Sequence, residues 1–444
     1  MSDGNGQHRL LIRDGSVLTA SGWLQPGFVL IEGEFVAAVG AGAPPEDLAA
    51  DEVITVPHMA VLPGMLNGHT HLSQTFMRGL GGGRPLMRWL KERIWPLQAV
   101  LSPEIMRLAA LLGLVENLRC GVTEVVNHHK VATTHAHTDV VLDAAQSVGL
   151  RLTLARGWVD CGTNAEDVES ILADLERLFE RWNGAADGRI NISNGPLAAW
   201  RCSKETLRKT RAMALRYGAS THMHVSETRD EVEMCECDHQ LRPVSWLESI
   251  GILGRDTQIV HGIWLEEQEI DLLEKNQSTV VLCPVSNGAI GSGIAPISAY
   301  YQRNISIRLG TDGPASNDTQ DIWETVKAAL CFSNASTQDP TIVSPSGALA
   351  MGLGRGTRIA EDAGVEVGMT ADLIVVNLNH VRAVPVHDVT SALALSTHGS
   401  DVETVIVGGK LLMKEGHVLV LDEDELLNEC RHAAAWMRKE AGLE

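Results

Sequence analysis

The feature that most constrains the fold is a repeated alternation of short apolar strands with helical stretches between about residues 60 and 368. About eight such strands precede loops: GMLNGHTH, VTEVVN, GLRLTLARG, GRINISNGP, ASTHMHVSE, TQIVHGIW, STVVLCPVS and ISIRLGTDG. Repeated strand and helix units indicate a parallel sheet with right-handed crossovers. About eight units in about 300 residues favour an α/β fold closed into a (β/α)8 TIM-like barrel. Periodicity alone does not separate that barrel from an open sheet.

Both ends of the chain have a different pattern, with short strands separated by turns. The N-terminal part contains RLLIRDGSVLTASG, FVLIEGEFVAAVG and DEVITVP, and a similar pattern returns in ADLIVVNLN and DVETVIVGGKLLMKEGHVL. A closing helix is expected to open near Asp422. We therefore expect residues 1–62 and 369–444 to form two parts of one small discontinuous β-sandwich module, with the barrel at 63–368.

Composition and charge exclude several classes of protein. Apolar residues at 44% and charged residues at 21% are typical of a globular chain and not of a disordered one. Lys and Arg number 36 against 56 Asp and Glu, a net charge of −20, so a nucleic acid would be repelled. The sequence has no basic and apolar leader and no long apolar run, which predicts a cytoplasmic protein without a membrane partner.

Histidines and one acid stand at the C-terminal ends of several predicted strands. They are His69, His71, His224, His261 and Asp312. In a barrel those ends converge on one mouth, where the active site is built. Imidazoles and a carboxylate meeting there predict a site for Zn²⁺ or a similar divalent ion. Two imidazoles at i and i+2 of a strand point the same way, so His69 and His71 can bind one ion.

Other residues in this region leave alternatives open. His135 and His137 lie in the polar stretch VATTHAHTD, and we expect both to be surface or loop residues. Strand alternation would let His222 face the mouth as well as His224. Trp89, in LMRWLKERIWP, fits a helix-packing residue and a wall of a substrate site about equally well.

Taken together, the motifs resemble one known superfamily. PGMLNGHTHLSQ, HVSE, VHGIWL, CPVSNGAIGSGIAP, LGTDGPASND and GMTADLIVV, in that order, resemble the amidohydrolases. Within them the chain is similar to the branch of methylthioadenosine/adenosylhomocysteine, guanine and 8-oxoguanine deaminases and s-triazine hydrolases. The resemblance covers about residues 9–420 and implies the barrel with its discontinuous β module. Such proteins are commonly dimers or larger, so it also implies a homo-oligomer as an alternative to a monomer.

The resemblance implies a metal site and its ligands. One divalent ion, Zn²⁺ first and Fe²⁺ as the alternative, would be held by His69, His71, His224 and Asp312. Dinuclear relatives place a carboxylated lysine on the strand that corresponds to GRINISNGP. That strand has no lysine here, which favours a mononuclear site.

The resemblance also implies catalytic roles for Glu227, His261 and Asp312. A bound divalent ion lowers the pKa of water from 15.7 towards about 7. Asp312 would take the proton of that water as it attacks the ring carbon, and His261 would polarise the oxygen. Glu227 would protonate the ring nitrogen and then help ammonia leave.

Residues near the mouth give divergent indications of the substrate. Gln74 matches the His-x-His-x-x-Gln of family members that bind carbonyl-bearing or heavily aminated rings, since its amide both donates and accepts. Adenosine-type relatives carry a histidine that reaches the ribose where this chain has Leu197, which argues against a nucleoside. By contrast, HVSETRDEVE and LGTDGPASND resemble the adenosine-type group, and NGAIGSG resembles the triazine hydrolases.

The expected function is that of a metal-dependent aminohydrolase. It would replace an exocyclic amino group of a purine-, pterin- or triazine-like ring by oxygen and release ammonia, with Gln74 and Trp89 as substrate contacts. One alternative is an s-triazine hydrolase with chloride or an alkylamine as the leaving group. Another is a methylthioadenosine- or adenosine-type nucleoside deaminase. A metal-binding homologue without turnover is disfavoured, because every expected ligand is present together with Glu227 and His261.

Overall fold

The structure is a computed structural model that describes residues 8–80, 83–130, 134–354 and 364–443. Strands β1–β5 come first and are Arg9–Thr19, Gly22–Glu32, Phe35–Ala41, Glu52–Thr55 and Met59–Pro63. Strands β6–β13 follow and are Met65–Thr70, Val122–His129, Arg151–Trp158, Ile190–Pro196, Thr221–Val225, Thr257–His261, Thr279–Leu282 and Ile307–Leu309. Strands β14–β17 come last and are Leu373–Asn377, Val402–Val407, Lys410–Lys414 and His417–Val418.

The barrel is formed by β6–β13, which make one parallel sheet in which each strand pairs with its neighbours in chain order. The sheet closes because β6 lies beside β13, and the backbone N–H of Asp312 donates to the carbonyl of His69 at 2.9 Å. A Cβ at Gly310 would lie 2.6 Å from the backbone nitrogen of His69, so only glycine permits this approach. The (β/α)8 barrel predicted from the repeated strands is confirmed.

The remaining strands form a separate nine-stranded sheet taken from both ends of the chain. The two ends meet where β5 pairs antiparallel with β14, with Val61 opposite Val375. Both valines are fully buried in one apolar cluster. The discontinuous β module is therefore confirmed. It lies against the start of the barrel strands, where Arg151 at the beginning of β8 donates to the carboxylate of Asp372 at 2.5 Å.

Helices cover the barrel. Helices α1–α17 are Leu86–Trp89, Trp95–Ala99, Pro103–Arg119, His135–Val148, Val168–Trp182, Ala185–Gly188, Lys204–Arg216, Arg229–His239, Pro243–Ser249, Glu267–Asn276, Pro284–Ile290, Ile297–Gln302, Pro314–Asn317, Ile322–Thr337, Pro345–Gly352, Val389–Ser396 and Glu423–Glu440. The shorter turns are the 3-10 helices Leu72–Met77, Ala199–Arg201 and Gly399–Asp401 and the π-helical turn Leu90–Ile94.

Two helix starts follow directly from capping chemistry. The Ser102 hydroxyl accepts from the backbone N–H of Ile105 at 3.3 Å, and Pro103 is the first residue of α3. Asp422 caps α17 in the same way, at 3.0 Å from the N–H of Glu425, where the closing helix was expected. Within the described residues no single helix combines the length and apolar composition needed to cross a membrane; one pair, Leu86–Ala99 with Pro103–Arg119, meets both criteria only when taken together across a 117° bend.

Candidate active site

The five polar residues predicted at strand ends lie together at the C-terminal mouth of the barrel. His69 is on β6 and His71 directly follows it, while His224 is on β10. His261 is the last residue of β11, and Asp312 follows the end of β13. All are buried except His71, which is half-buried. The structure therefore brings these side chains to one point, as parallel strands of a barrel must do.

Four of these side chains form a group suited to a divalent ion. The Nε2 atoms of His69 and His71 lie 3.4 Å and 3.3 Å from Oδ1 of Asp312. Nε2 of His224 lies 3.4 Å from Nε2 of His71. The Nε2 of His69 is buried and has no hydrogen-bond partner among the described residues. The donor atoms of His69, His71 and Asp312 lie within 4.8 Å of one another, and so do those of His69, His224 and His261. Imidazole nitrogens with a carboxylate oxygen are a typical donor set for zinc or iron, and we call His69, His71, His224 and Asp312 the ligand group.

Hydrogen bonds behind the ligands fix which ring nitrogen faces this point. Nδ1 of His71 donates to the carbonyl of His128, and Nδ1 of His224 donates to the carbonyl of Leu197, each at 2.8 Å. A carbonyl only accepts, so Nδ1 carries the hydrogen in both rings and Nε2 keeps its lone pair. Partners of this kind orient metal-binding imidazoles and raise their basicity.

His222, the alternative to His224, contacts the ring of His69 on the side away from Asp312. Its Nδ1 lies 2.8 Å from Oε1 of Gln258, and its Nε2 lies 2.8 Å from Nδ1 of His69. Because the amide oxygen accepts, His222 accepts in turn from His69 and leaves the lone pair of the His69 Nε2 facing the ligand group. His224, and not His222, has its Nε2 beside the other donors.

Burial and charge set the protonation states that a metal site needs. Burial lowers the pKa of His69 and His224 well below the usual range of imidazoles, which keeps both rings neutral. Burial alone would raise the pKa of Asp312, but its contact with His69 and the nearby His71 hold that pKa well below its usual range. The hydroxyl of Ser286 donates to Oδ2 of Asp312 at 2.6 Å and stabilises the carboxylate.

Glu227 and His261 form a second pair of neighbouring polar side chains beside the ligand group. Oε2 of Glu227 lies 3.6 Å from Nε2 of His261. The side-chain amide of Asn287 donates to Nδ1 of His261 at 3.0 Å, so the hydrogen of that ring is on Nε2. The hydroxyl of Ser292 donates to Oε1 of Glu227 at 3.1 Å. Burial raises the pKa of Glu227 above its ordinary value, as suits a carboxyl group that transfers protons near neutral pH.

Sequence reasoning missed several of these supporting groups. Ser286, Asn287 and Ser292 all lie in the stretch CPVSNGAIGSGIAP, which was noticed only as a family motif. Their contacts with Asp312 and Glu227 join parts of the chain that are distant in sequence, and no local pattern encodes such contacts.

The backbone is strained at three positions in the site. Ser226, His261 and Asp312 have φ values of 54°, 72° and 61°, in the left-handed region that side chains other than glycine rarely adopt. Each residue is at or just past the end of a barrel strand. Strain of this kind is concentrated at functional sites, where the surrounding structure holds it in place.

An inner cavity of about 140 Å³ opens beside the ligand group, and Gln74 and Trp89 both line it. Both side chains are buried, and Oε1 of Gln74 and Nε1 of Trp89 have no hydrogen-bond partner among the described residues. A Cβ at Gly313 would lie 2.0 Å from Oε1 of Gln74, so glycine makes room for that amide. Trp89 is thus part of the wall of the cavity as well as of the packed core.

A second, outer cavity of about 910 Å³ adjoins the inner one. The junction is formed by residues that line both cavities, namely Trp95, Gln98, Lys130, Leu197 and Arg201. The mouth of the barrel therefore offers room well beyond a single ring.

The expectation for the pair His135 and His137 is half wrong. Both begin helix α4 rather than lying in a loop. His135 is exposed, but His137 is buried and its Nε2 lies 2.9 Å from the carbonyl of Leu101. His137 precedes the buried Val141 by four residues, a helical spacing that the polar letters around it obscured.

Comparison with known proteins agrees with this geometry. Residues 60–412 match the amidohydrolase family. A 5′-deoxyadenosine deaminase from Methanothermobacter thermautotrophicus is 34% identical over 428 residues, which cover 96% of this chain and 98% of the relative. The chain belongs to the amidohydrolase family.

Further relatives indicate the type of reaction. This amidohydrolase is 34% identical over 439 residues to a 5-methylthioadenosine/S-adenosylhomocysteine deaminase from Pelotomaculum thermopropionicum, with 96% and 98% of the two chains covered. An adenosine deaminase from Xanthomonas campestris, solved with bound zinc, has a TM-score of 0.88 and 27% identity over 97% and 98% of the chains. This amidohydrolase is a hydrolase that acts on C–N bonds, a deaminase.

Proposed function

We propose that this amidohydrolase deaminates an adenosine-type nucleoside that carries a small substituent, or no hydroxyl, at the 5′ position. The relatives that are 34% identical over nearly the whole chain are deaminases of 5′-deoxyadenosine and of 5-methylthioadenosine/S-adenosylhomocysteine, and they support this substrate class. It is the nucleoside alternative from the sequence. The free purine, pterin or triazine that was first expected has less support.

The observation that carries the proposal is the continuity of the two cavities. The inner cavity, next to the ligand group, is large enough for little more than a heteroaromatic ring. The five junction residues lead from it into the outer cavity, which has room for a ribose and its 5′ substituent. Trp89 and Trp95 supply aromatic surface along this path, which suits a flat base.

One observation favours a second candidate, a deaminase of free bases. Leu197 is apolar and lines the junction, where the resembling nucleoside deaminases use a histidine for the ribose. Under the main proposal the ribose hydroxyls contact the polar junction side chains instead. These are Gln98, which is uncharged, and the cationic Lys130 and Arg201. If no junction group contacts the ribose, the inner cavity alone selects the substrate.

We propose Zn²⁺ as the ion, held by His69, His71, His224 and Asp312. The neutral imidazoles, the ionised carboxylate and the unpartnered Nε2 of His69 support this assignment. So does the zinc in the related adenosine deaminase. A bound divalent ion supplies an ionised water at neutral pH by lowering its pKa towards about 7.

The side chains around the ion have separate tasks in this proposal. Asp312 accepts a proton from the attacking water. His261, with its hydrogen on Nε2, donates to the oxygen that adds to the ring carbon. Glu227 protonates the neighbouring ring nitrogen, a role that its raised pKa supports. It then accepts the proton of the added hydroxyl and passes it to the departing ammonia, and the proton held by Asp312 restores Glu227. The carboxyl groups thus move protons while the imidazole stabilises charge.

A substrate panel tests the proposal through release of ammonia by the zinc-loaded protein. We expect 5′-deoxyadenosine and methylthioadenosine to reach a kcat/KM above about 10⁴ M⁻¹s⁻¹. Guanine, 8-oxoguanine, isoxanthopterin, cytosine and melamine should be far slower. Rapid turnover of one of these rings without any nucleoside deamination would overturn the proposal in favour of the second candidate. Loss of chloride or an alkylamine from a triazine would instead select the triazine alternative.

The substitution Glu227→Gln tests the assignment of the proton carrier. We expect it to leave about one equivalent of bound zinc and to reduce turnover by at least about 10²–10⁴-fold. Metal content by elemental analysis is the control for folding of the site. Normal turnover in this variant would show that another group carries the proton.

A further inference from the structure

A buried carboxyl group without an assigned role, Glu231, lies directly behind Glu227. It is 4% exposed, in the first turn of α8, and it lines the inner cavity. Its Oε2 accepts a hydrogen bond from the backbone N–H of Glu227 at 2.8 Å. Its Oε1 is buried and has no hydrogen-bond partner among the described residues. This is an unusual state for a carboxylate, which normally has both oxygens solvated or paired.

A capping role explains only part of this arrangement. Thr228 caps α8, since its hydroxyl accepts from the N–H of Glu231 at 3.3 Å. In an ordinary capping box the glutamate would bond back to the N–H of the capping residue itself. Here its hydrogen bond is to the N–H of Glu227, and the neighbouring N–H groups of Ser226 and Thr228 also stabilise its charged form, so that Glu231 ties the strained turn that begins at Ser226. The bond therefore fixes the backbone of the proposed proton carrier.

The surroundings of Glu231 also decide its charge. Burial is the main reason that its pKa is raised from 4.5 to about 8, and the charge of Glu227 acts in the same direction, whereas the backbone N–H groups of Glu227, Ser226 and Thr228 lower it. Several other titratable or charged side chains lie on α8 and on the elements packed against it: Arg229, Asp230, Glu233 and Cys235 on α8, Arg201 on the adjoining 3-10 helix and Glu248 on α9. No ion pair joins Glu231 to a cation among the described residues, so its ionised form is stabilised by backbone N–H groups alone.

We propose that Glu231 is a positioning residue that holds Glu227 in place as an uncharged carboxylic acid. Its Oε2 anchors the Glu227 backbone, and its neutrality keeps a second negative charge away from the Glu227 carboxyl group. Glu227 then transfers its proton to the substrate while its carboxyl group contacts His261 and Ser292. When Glu231 ionises, its charge strengthens proton binding by Glu227 and slows that transfer. The proposal rests on Glu227 as the proton carrier of the proposed function.

The test compares three variants with the zinc-loaded wild type on whichever panel substrate it deaminates. Glu231→Ala should reduce kcat by about 10²-fold with little change in KM, because a displaced catalytic group costs that much. Glu231→Gln keeps the acceptor for the Glu227 N–H without a charge, so it should restore kcat at neutral pH to within about threefold of the wild type. The wild type should lose kcat as pH rises through about 8, and Glu231→Gln should lack this alkaline loss.

Glu269→Gln is the matched control. Glu269 is also buried in the first turn of a helix, α10, and its Oε2 accepts from the N–H of Glu266 at 3.2 Å, but it does not line the cavity. This variant should keep the alkaline loss of the wild type.

Three results would overturn the inference: unchanged kcat in Glu231→Ala, an equal loss in Glu231→Gln, or an alkaline loss that persists in Glu231→Gln. If the alanine variant does not fold, the pH profile of the glutamine variant decides alone. If the assignment of Glu227 in the proposed function is wrong, the separate variant Glu227→Gln will retain turnover.

Discussion

Each imidazole of the proposed ligand set has a hydrogen-bond partner that is distant from it in sequence. For His69 the partner is a second histidine, His222, at 2.8 Å. His222 is in turn hydrogen-bonded to Gln258, also at 2.8 Å. The chain of bonds runs from an amide oxygen on β11 through β10 to β6. It fixes the hydrogen of His69 on Nδ1 without any backbone contact, unlike the arrangement at His71 and His224.

We therefore expect His222→Ala to weaken zinc binding by about 10–100-fold, since it removes the group that orients His69. Competition with a chromophoric chelator measures the change. His432→Ala, an exposed histidine on α17, is the control and should leave the affinity unaltered. Equal zinc affinity in the wild type and His222→Ala would mean that strand packing alone orients His69.

At this scale the sequence predicts the residues that face the mouth better than the residues behind them. His69, His71, His224 and Asp312 follow predicted strands, and barrel geometry makes the ends of strands meet. Strand alternation predicted that His222 and His224 share a face of the strand. It did not predict how far each side chain lies from the mouth of the barrel, which depends on the neighbouring strands. Thr228-x-x-Glu231 is a recognisable capping pattern, but such a pattern usually indicates only where a helix begins. The sequence therefore did not single out Glu231 as a residue of the site.

At the scale of single elements, the start of α8 couples folding to pH. The folded protein keeps the proton of Glu231 between its ordinary pKa of 4.5 and about 8, whereas the unfolded chain has released it. The native state then binds more protons than the unfolded state, so the free energy of unfolding falls as pH rises through this window. The slope from one such group is at most about 1.4 kcal/mol per pH unit.

We expect Glu231→Gln to remove this contribution. Urea unfolding at mildly acidic pH and at about pH 8 should give a smaller loss of stability for the variant than for the wild type. Glu269→Gln again serves as the control and should keep the wild-type slope. An identical pH dependence of unfolding in the wild type and Glu231→Gln would show that Glu231 is ionised in the native state.

A second element-scale prediction concerns the closure of the barrel between β6 and β13. Gly310→Ala would put a Cβ 2.6 Å from the backbone nitrogen of His69, and a strand backbone cannot yield as a flexible side chain does. We expect a loss of about 3 kcal/mol or more in the free energy of unfolding, together with weaker zinc binding. Gly288→Ala is matched to it, because its Cβ would meet only the ring of Phe332 at 3.5 Å. Similar stability of the two variants would indicate that β6 and β13 separate readily.

At the scale of the whole molecule, the order of elements was accessible from sequence and their contacts were not. The barrel follows from eight apolar strands separated by helices, and the β module from two strand-rich ends. Nothing local specifies that β14 pairs with β5 rather than with another strand of the module. That register is set by the buried faces that the strands share, such as Val61 against Val375.

The proposed metal site would link folding across the whole barrel, because its ligands come from strands as far apart in the order as β6 and β13. His69 and His71 belong to β6 and the residue after it, His224 to β10 and Asp312 to the end of β13. An unfolded chain does not hold these four groups together, so the proposed zinc would bind the native state and stabilise it. At a free concentration 100 times the dissociation constant this amounts to about 2.7 kcal/mol.

Removal of zinc by a chelator should therefore lower the melting temperature of the protein, and stoichiometric zinc should restore it. Asp312→Asn keeps the size of the side chain but supplies a weaker, uncharged ligand, so zinc should shift its melting temperature much less. The measurement is a thermal melt by circular dichroism, with elemental analysis of each sample. A wild-type melting temperature that is the same with and without one bound equivalent of zinc would contradict the proposed ligand set, because an ion held between β6, β10 and β13 cannot be lost without loosening the barrel mouth.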